Sequence, residues 1–293
     1  MPPKGGNLRF FGGLIMEKRS KRLKKKAESE WRIIKNKKAV LAVYLVLRVL
    51  VILTMVAQIF NGHYENVYIC ILTLILFMLP SAVERKLHID LPDMLEIVIL
   101  IFIFAAEILG EIQEYYLIIP FWDTVLHTIN GFLFAAIGFC LVNLLNENKN
   151  TSLSLAPFYV AVTAFCFSMT IGVLWEFFEW FMDSVFHLDM QKDTVLTAIH
   201  TVNLDPGGHN VPYHATQIVD TVIVYADGSR QTMALGGYLD VGLLDTMMDL
   251  LVNFVGAVIF SVIGYFYVKT KGKGRIARMF IPEVMEKPVT KDE

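Results

Sequence analysis

The chain has 293 residues, 55% of them hydrophobic and 18% charged, with a mean hydropathy of +0.52 and a formal net charge of −2. That composition excludes an ordinary soluble domain and places the chain among membrane proteins. The near-neutral balance says nothing about partners, whereas the distribution of charge does; nucleic acid is not expected as a partner.

Residues 1–38 hold thirteen Lys or Arg, including the run from Lys18 to Lys26. Such an arm can bind nucleic acid or anionic lipid, but juxtamembrane it reads first as a topology anchor at the cytoplasmic membrane face, with its cations touching anionic lipid. The apolar run that follows is itself of spanning length, so no cleavable signal peptide is expected. Six runs approach or reach the ~20 residues that a spanning helix needs. They are 39–60, 64–83, 94–113, 122–145, 155–182 and 241–268. The three cysteines, Cys70, Cys140 and Cys166, sit inside these runs and read as small buried hydrophobes rather than disulfides or metal ligands.

Charge bias orients the spans. One side collects the thirteen cations of the arm, Arg85 and Lys86, Lys149, and seven more after residue 268; the other keeps only Lys192 and Arg230. By the positive-inside rule both termini are cytoplasmic, and the expected location is a bacterial plasma membrane. The expected fold is an all-α polytopic membrane protein of about six transmembrane helices with a small β-hairpin-containing extracytoplasmic insertion. Its segments are a basic arm (1–38), transmembrane helices 1–5 (39–183), an extracytoplasmic loop subdomain (184–240), helix 6 (241–268) and a cytoplasmic tail (269–293). Within the insertion, Gln217–Tyr225 and Arg230–Leu235 are β-rich runs separated by Ala226-Asp227-Gly228-Ser229, a hairpin signal, and Asp205-Pro206-Gly207-Gly208 marks a turn.

Polar residues gather at the outer side of this topology. Glu107, Glu111 and Glu114 lie toward the outer end of helix 3, and Asp123 and His127 open helix 4. Glu176, Glu179 and Asp183 close helix 5; Asp240, Asp245 and Asp249 open helix 6, with Asn253 one turn deeper. Spacings of three and four put Glu176, Glu179 and Asp183 on one helical face. An ionisable group at membrane depth costs roughly 2.5–3.5 kcal/mol on insertion scales and marks a functional site by default. The inner half has few equivalents, with Glu96 nearly alone.

Three chemistries suit such a cluster. Carboxylates and an imidazole at these spacings can hold a divalent metal, and Glu176, Glu179, Asp245, Asp249 and His127 are the candidate ligands. A histidine beside carboxylates can act as general acid or base. Crowded carboxylates can also bind and release protons or cations in a transporter. Against these stand plainer readings: Asp123 as a charge favoured by the helix dipole, His127 as polar glue between spans, Trp175 and Trp180 as interfacial belt residues. Arg48, near the middle of helix 1, needs a partner, and Glu107 matches it by depth. His200, His209 and His214 have irregular spacing and read as ordinary surface histidines.

Asp123-x-x-x-His127, Glu176-x-x-Glu179 and Asp249-x-x-x-Asn253-x-x-Gly256, in that order, resemble the pattern of YjdF-like bacterial inner-membrane proteins. They are also similar to the broader VanZ-like pattern. The resemblance covers roughly 85–265, and the first two helices fit the YjdF-like version better. Glu179 stands where VanZ-like proteins usually carry Gln, and the 184–240 insertion is longer than in either group. VanZ-like proteins are linked to glycopeptide (teicoplanin) resistance, so the resemblance implies an envelope role.

Together these readings point to a polar site of Asp123, His127, Glu176, Glu179, Asp249 and Asn253, with Asp245, that binds or processes a lipid-linked or cell-surface molecule. In an enzyme, His127 would be the acid/base and the carboxylates would hold a metal or activate water. Two alternatives stand beside it, a proton- or cation-coupled transporter and a structural or regulatory membrane component. The lack of visible repeats or broken helices argues against the transporter.

Overall fold

The computed structural model describes residues 38–87, 89–147, 155–274, 277–281 and 283–284. Nearly all of the basic arm, with its expected lipid contacts, lies outside these residues, as do residues 285–293 of the C-terminal tail. The chain divides into two compact units, Met1–Gln113 with Pro282–Glu293, and Glu114–Ile281. Among the described residues, five helices are long and apolar enough to cross a membrane: Lys38–Asn61, Tyr64–Lys86, Trp122–Asn143, Pro157–Phe186 and Leu243–Lys269. With small β-hairpins on the connection before the last of them, this is the expected polytopic helical class.

The first unit holds α1 (Lys38–Asn61), α2 (Tyr64–Leu76), α3 (Leu79–Leu87), β1 (Ile89–Asp90) and α4 (Asp93–Phe104). The run read as helix 3 is α-helical only through Phe104 and continues as a π-helix over Ala105–Ile112. Such a widened turn is a local departure that a 3.6-residue hydrophobic pattern does not announce. Val51, Cys70, Phe77 and Leu100 are at the centre of this unit's core. Cys70 is thus buried, as read, and so is Cys140, whereas Cys166 is exposed on its helix, contrary to the reading. Arg48 does not reach Glu107. Its Nη1 donates to the Tyr44 hydroxyl at 2.5 Å and its guanidinium lies 5.6 Å from that ring's centroid. A partner one turn back on the same helix is available without any inter-helix alignment.

The second unit contains α5 (Tyr115–Ile118), α6 (Trp122–Glu147), α7 (Pro157–Phe186) and α8 (Leu243–Lys269). Pro157 sits in the first turn of α7, where its missing N–H costs nothing. The three long helices pack on one another, α6 and α8 parallel and α7 antiparallel to both. Phe139 and Phe260 stack edge-on at 6.0 Å in their core, and Phe132 meets Phe260 at 5.1 Å. At one crossing the backbones nearly touch. A Cβ on Gly131 would come 2.0 Å from the Asn253 carbonyl oxygen, and one on Gly256 would come 2.0 Å from that of Thr128. Only glycine fits at either point. Beyond α8, Phe280 folds back to stack on Phe132 at 5.1 Å, and Ile281 is buried.

The long connection between α7 and α8 forms three antiparallel pairs. They are β2 (Val195–Leu196) with β7 (Tyr238–Leu239), β3 (Ala198–Thr201) with β4 (Tyr213–Thr216), and β5 (Val222–Val224) with β6 (Arg230–Thr232). The β5–β6 hairpin is the one expected from the sequence, its turn closed by Tyr225 N–H donating to Ser229 O at 2.9 Å. The 205–208 turn is also present. There the Asp205 carboxylate accepts the N–H groups of Gly207, His209 and Val211, which hold it below the usual carboxylate range. Finally, β8 (Glu283–Val284) pairs with β1 in the first unit.

Candidate functional site

Parallel α6 and α8 bring their N-terminal turns to the same end of the bundle as the C-terminal turns of α7. This sets Asp123 and His127, Asp249, and Glu176 against one another. His127 lies between two carboxylates, its Nε2 3.5 Å from Asp123 Oδ1 and its Nδ1 3.7 Å from Glu176 Oε1. One ligand atom from each of Asp123, His127 and Asp249 falls within 4.8 Å of the others. His127 is 6% exposed and Glu176 and Asp249 are 4% exposed, while Asp123 is only half-buried.

Buried polar groups are normally hydrogen-bonded, because leaving one unpaired costs its lost hydration. Here, among the described residues, neither carboxylate oxygen of Glu176 has a hydrogen-bond partner, nor does Asp249 Oδ2. Glu176 Oε1 is close to the His127 imidazole, and Asp249 shares a cluster with that imidazole and the half-buried Asp123. Such a constellation can accept a cation or protons, or meet a polar ligand.

The other candidate residues have jobs within the fold. Glu179 is buried and accepts from Trp175 Nε1, four residues back on α7, at 2.8 Å. Asp245 Oδ2 accepts the N–H of Lys192 at 2.8 Å. Asn253 lies one turn below Asp249, where its Oδ1 accepts from Asn130 Nδ2 at 3.3 Å and its Nδ2 approaches Met169 Sδ at 3.6 Å. Ser168 Oγ donates to Gly131 O at 2.7 Å in the same layer. That layer ties all three helices directly beneath the cluster, on α6 through Asn130 and Gly131, which the motif reading overlooked. A signal for Asn130 was present, since Asp123, His127 and Asn130 fall at i, i+4 and i+7.

Above the cluster, residues 190–194 run as a strap across the ends of α7 and α8. Asp183 accepts the N–H groups of Met190 and Gln191 at 2.7 and 2.8 Å, one on each carboxylate oxygen. Asp240 accepts from Thr194 N–H at 2.8 Å and Leu244 N–H at 2.9 Å, and Gln191 Nε2 donates to Thr246 Oγ1 at 2.5 Å. Three of the clustered acids, Asp183, Asp240 and Asp245, thus hold a loop in place. Glu107 and Glu111 lie in the π-helical segment of the first unit.

The histidines of the long connection are exposed, as expected, but two of them form a pair that their spacing did not announce. His200 and His214 are directly opposite in the β3–β4 register, with their Nδ1 atoms 2.6 Å apart. Strand register, rather than sequence spacing, makes that pair. The backbone N–H of His209 donates to Asp205 instead.

No curated protein and no solved structure matches the chain. The family model described as "Predicted membrane protein (DUF2238)" matches residues 42–270, a span that contains the three motifs read as YjdF-like and the whole polar cluster. The chain is a membrane protein and belongs to that family.

Proposed function

We propose that this is a multi-pass protein of a bacterial plasma membrane whose buried polar cluster, in the outer half of the bilayer, binds or processes a lipid-linked or cell-surface molecule. One observation carries the reading. Four ionisable side chains from three helices meet at the strapped end of the bundle, and two of the buried carboxylates have atoms without partners among the described residues. Helix packing alone gives no reason to keep such groups, since apolar residues of similar volume would pack there at lower cost. The distribution of Lys and Arg supports an outward orientation for this end.

The setting suits an amphiphile. Polar strap residues cover the cluster's far side, while Phe177, Phe178 and Phe181 beside Glu176 are exposed on α7 as a surface for lipid chains. A ligand with a polar head and a hydrocarbon tail satisfies both. The VanZ-like resemblance of the same motifs agrees with an envelope role.

The test is native mass spectrometry of the protein extracted from its own membranes, comparing wild type with Glu176→Gln and His127→Ala. A copurifying amphiphile kept by the wild type and lost from folded variants is the expected result. Equal occupancy in all three would remove the cluster from ligand binding. A parallel experiment places Cys at Thr246 in a Cys-free background and adds a membrane-impermeant thiol reagent. Labelling from one face is expected, and labelling from both would favour the proton- or cation-coupled transporter.

A further inference from the structure

His127 Nε2 and Asp123 Oδ1 lie 3.5 Å apart, and one ligand atom from each of Asp123, His127 and Asp249, on two parallel helices, falls within 4.8 Å of the others. Tetrahedral coordination at ordinary metal–nitrogen and metal–oxygen distances of about 2.0–2.2 Å places neighbouring ligand atoms about 3.3–3.5 Å apart. The His127–Asp123 separation of 3.5 Å already lies at that edge length. The third ligand needs only a rotamer-scale adjustment within the 4.8 Å limit. With Nε2 turned toward Asp123, the opposite ring nitrogen, Nδ1, points at Glu176 Oε1. That is the arrangement in which a carboxylate accepts the N–H of a metal-bound histidine, setting its tautomer and ring plane. At 3.7 Å this pair is longer than a hydrogen bond, and Glu176, 4% exposed, has no hydrogen-bond partner among the described residues; a cation on Nε2 would fix the proton on Nδ1, facing this carboxylate.

We infer that Asp123, His127 and Asp249 form a binding site for one divalent cation of the zinc or manganese class, with Glu176 as the positioning residue behind His127. Two carboxylates and one imidazole suit these borderline-to-hard ions and disfavour copper(I), which selects sulfur. The assignment differs from the ligand set expected from sequence. Asp123 enters, Asp245 leaves because it holds the strap, and Glu179 leaves because Trp175 occupies it. A cation here would serve as a Lewis acid for a phosphoryl or acyl oxygen, or would activate water. The inference rests on the reading above only in locating the site at this cluster. The assay below reads the cation alone, so its failure leaves the amphiphile open, and the reverse also holds.

The experiment uses tag-free, full-length protein in detergent, carrying His200→Ala and His214→Ala so that the loop pair contributes nothing. After chelator treatment it is titrated with ZnCl₂ and separately with MnCl₂ by calorimetry. One equivalent of at least one ion is expected. His127→Ala and Asp249→Asn should each weaken binding at least about 100-fold. Glu176→Gln should weaken it about 10–100-fold with the stoichiometry unchanged, as loss of an outer partner does. Where a variant does not fold, zinc X-ray absorption on the parent decides, with one imidazole among oxygen ligands expected. Absence of saturable binding, binding that survives both His127→Ala and Asp249→Asn, or a shell without imidazole would overturn the assignment.

Discussion

Asp183 and Glu176 are two turns apart on one helix, and their carboxylates lead opposite lives. Both oxygens of Asp183 accept strap amides, whereas both oxygens of Glu176 lack hydrogen-bond partners among the described residues. Hydrogen bonds to a charged group are worth about 1.5–3 kcal/mol each, so Asp183 is a structural residue whose loss is read locally. In Asp183→Ala, amide exchange at Met190 and Gln191 should accelerate at least about tenfold, equivalent to about 1.4 kcal/mol of lost protection. Exchange mass spectrometry on the detergent-solubilised protein measures this. Unchanged rates at both amides would mean that the strap is held by Asp240 and Asp245 alone.

At the level of elements, the site depends on how closely α6 and α8 approach. The motif Asp249-x-x-x-Asn253-x-x-Gly256 has a mechanical meaning. Asp249 supplies the cluster, Asn253 bonds Asn130 one turn below, and Gly256 admits the Thr128 carbonyl. Gly131 admits the Asn253 carbonyl in return. Because the obstructing atoms are backbone, a methyl group at Gly131 cannot be absorbed by a side-chain rotation. Overpacking of this kind costs about 1–3 kcal/mol. Gly131→Ala should therefore lower Tm by about 2–12 °C, at the few degrees per kcal/mol typical of chains this size. An unchanged melting curve in detergent would show that the helices do not cross this tightly.

For the whole molecule, the decisive property is which end of the α6–α8 bundle faces out. The proposed orientation puts the β5–β6 turn outside the cell and the α3 end, with Arg85 and Lys86, inside. Alkaline phosphatase, active only outside the cytoplasm, should be highly active when inserted at Gly228 and should stay at background when fused after Lys86. The reverse pattern would move the polar cluster to the cytoplasmic leaflet and remove the envelope reading with it.

Spanning length, hydropathy and charge cost belong to local segments, so the sequence by itself determined the polytopic helical class, the positions of the long helices and the β5–β6 hairpin. It also identified the polar faces of α6, α7 and α8, because residues at i, i+3 and i+4 share a face in any helix. Periodicity names a face and not its partner. Asp183, Asp240 and Asp245 are indistinguishable in type and spacing from Glu176 and Asp249, yet the path of residues 190–194 turned the first three into loop ligands. The same limit hid the π-helical turns of Ala105–Ile112 and the cross-strand pairing of His200 with His214. Only the tertiary structure decided that Asp123, His127, Glu176 and Asp249 meet, because their meeting depends on two backbones crossing at Gly131 and Gly256, a distance that no single helix encodes.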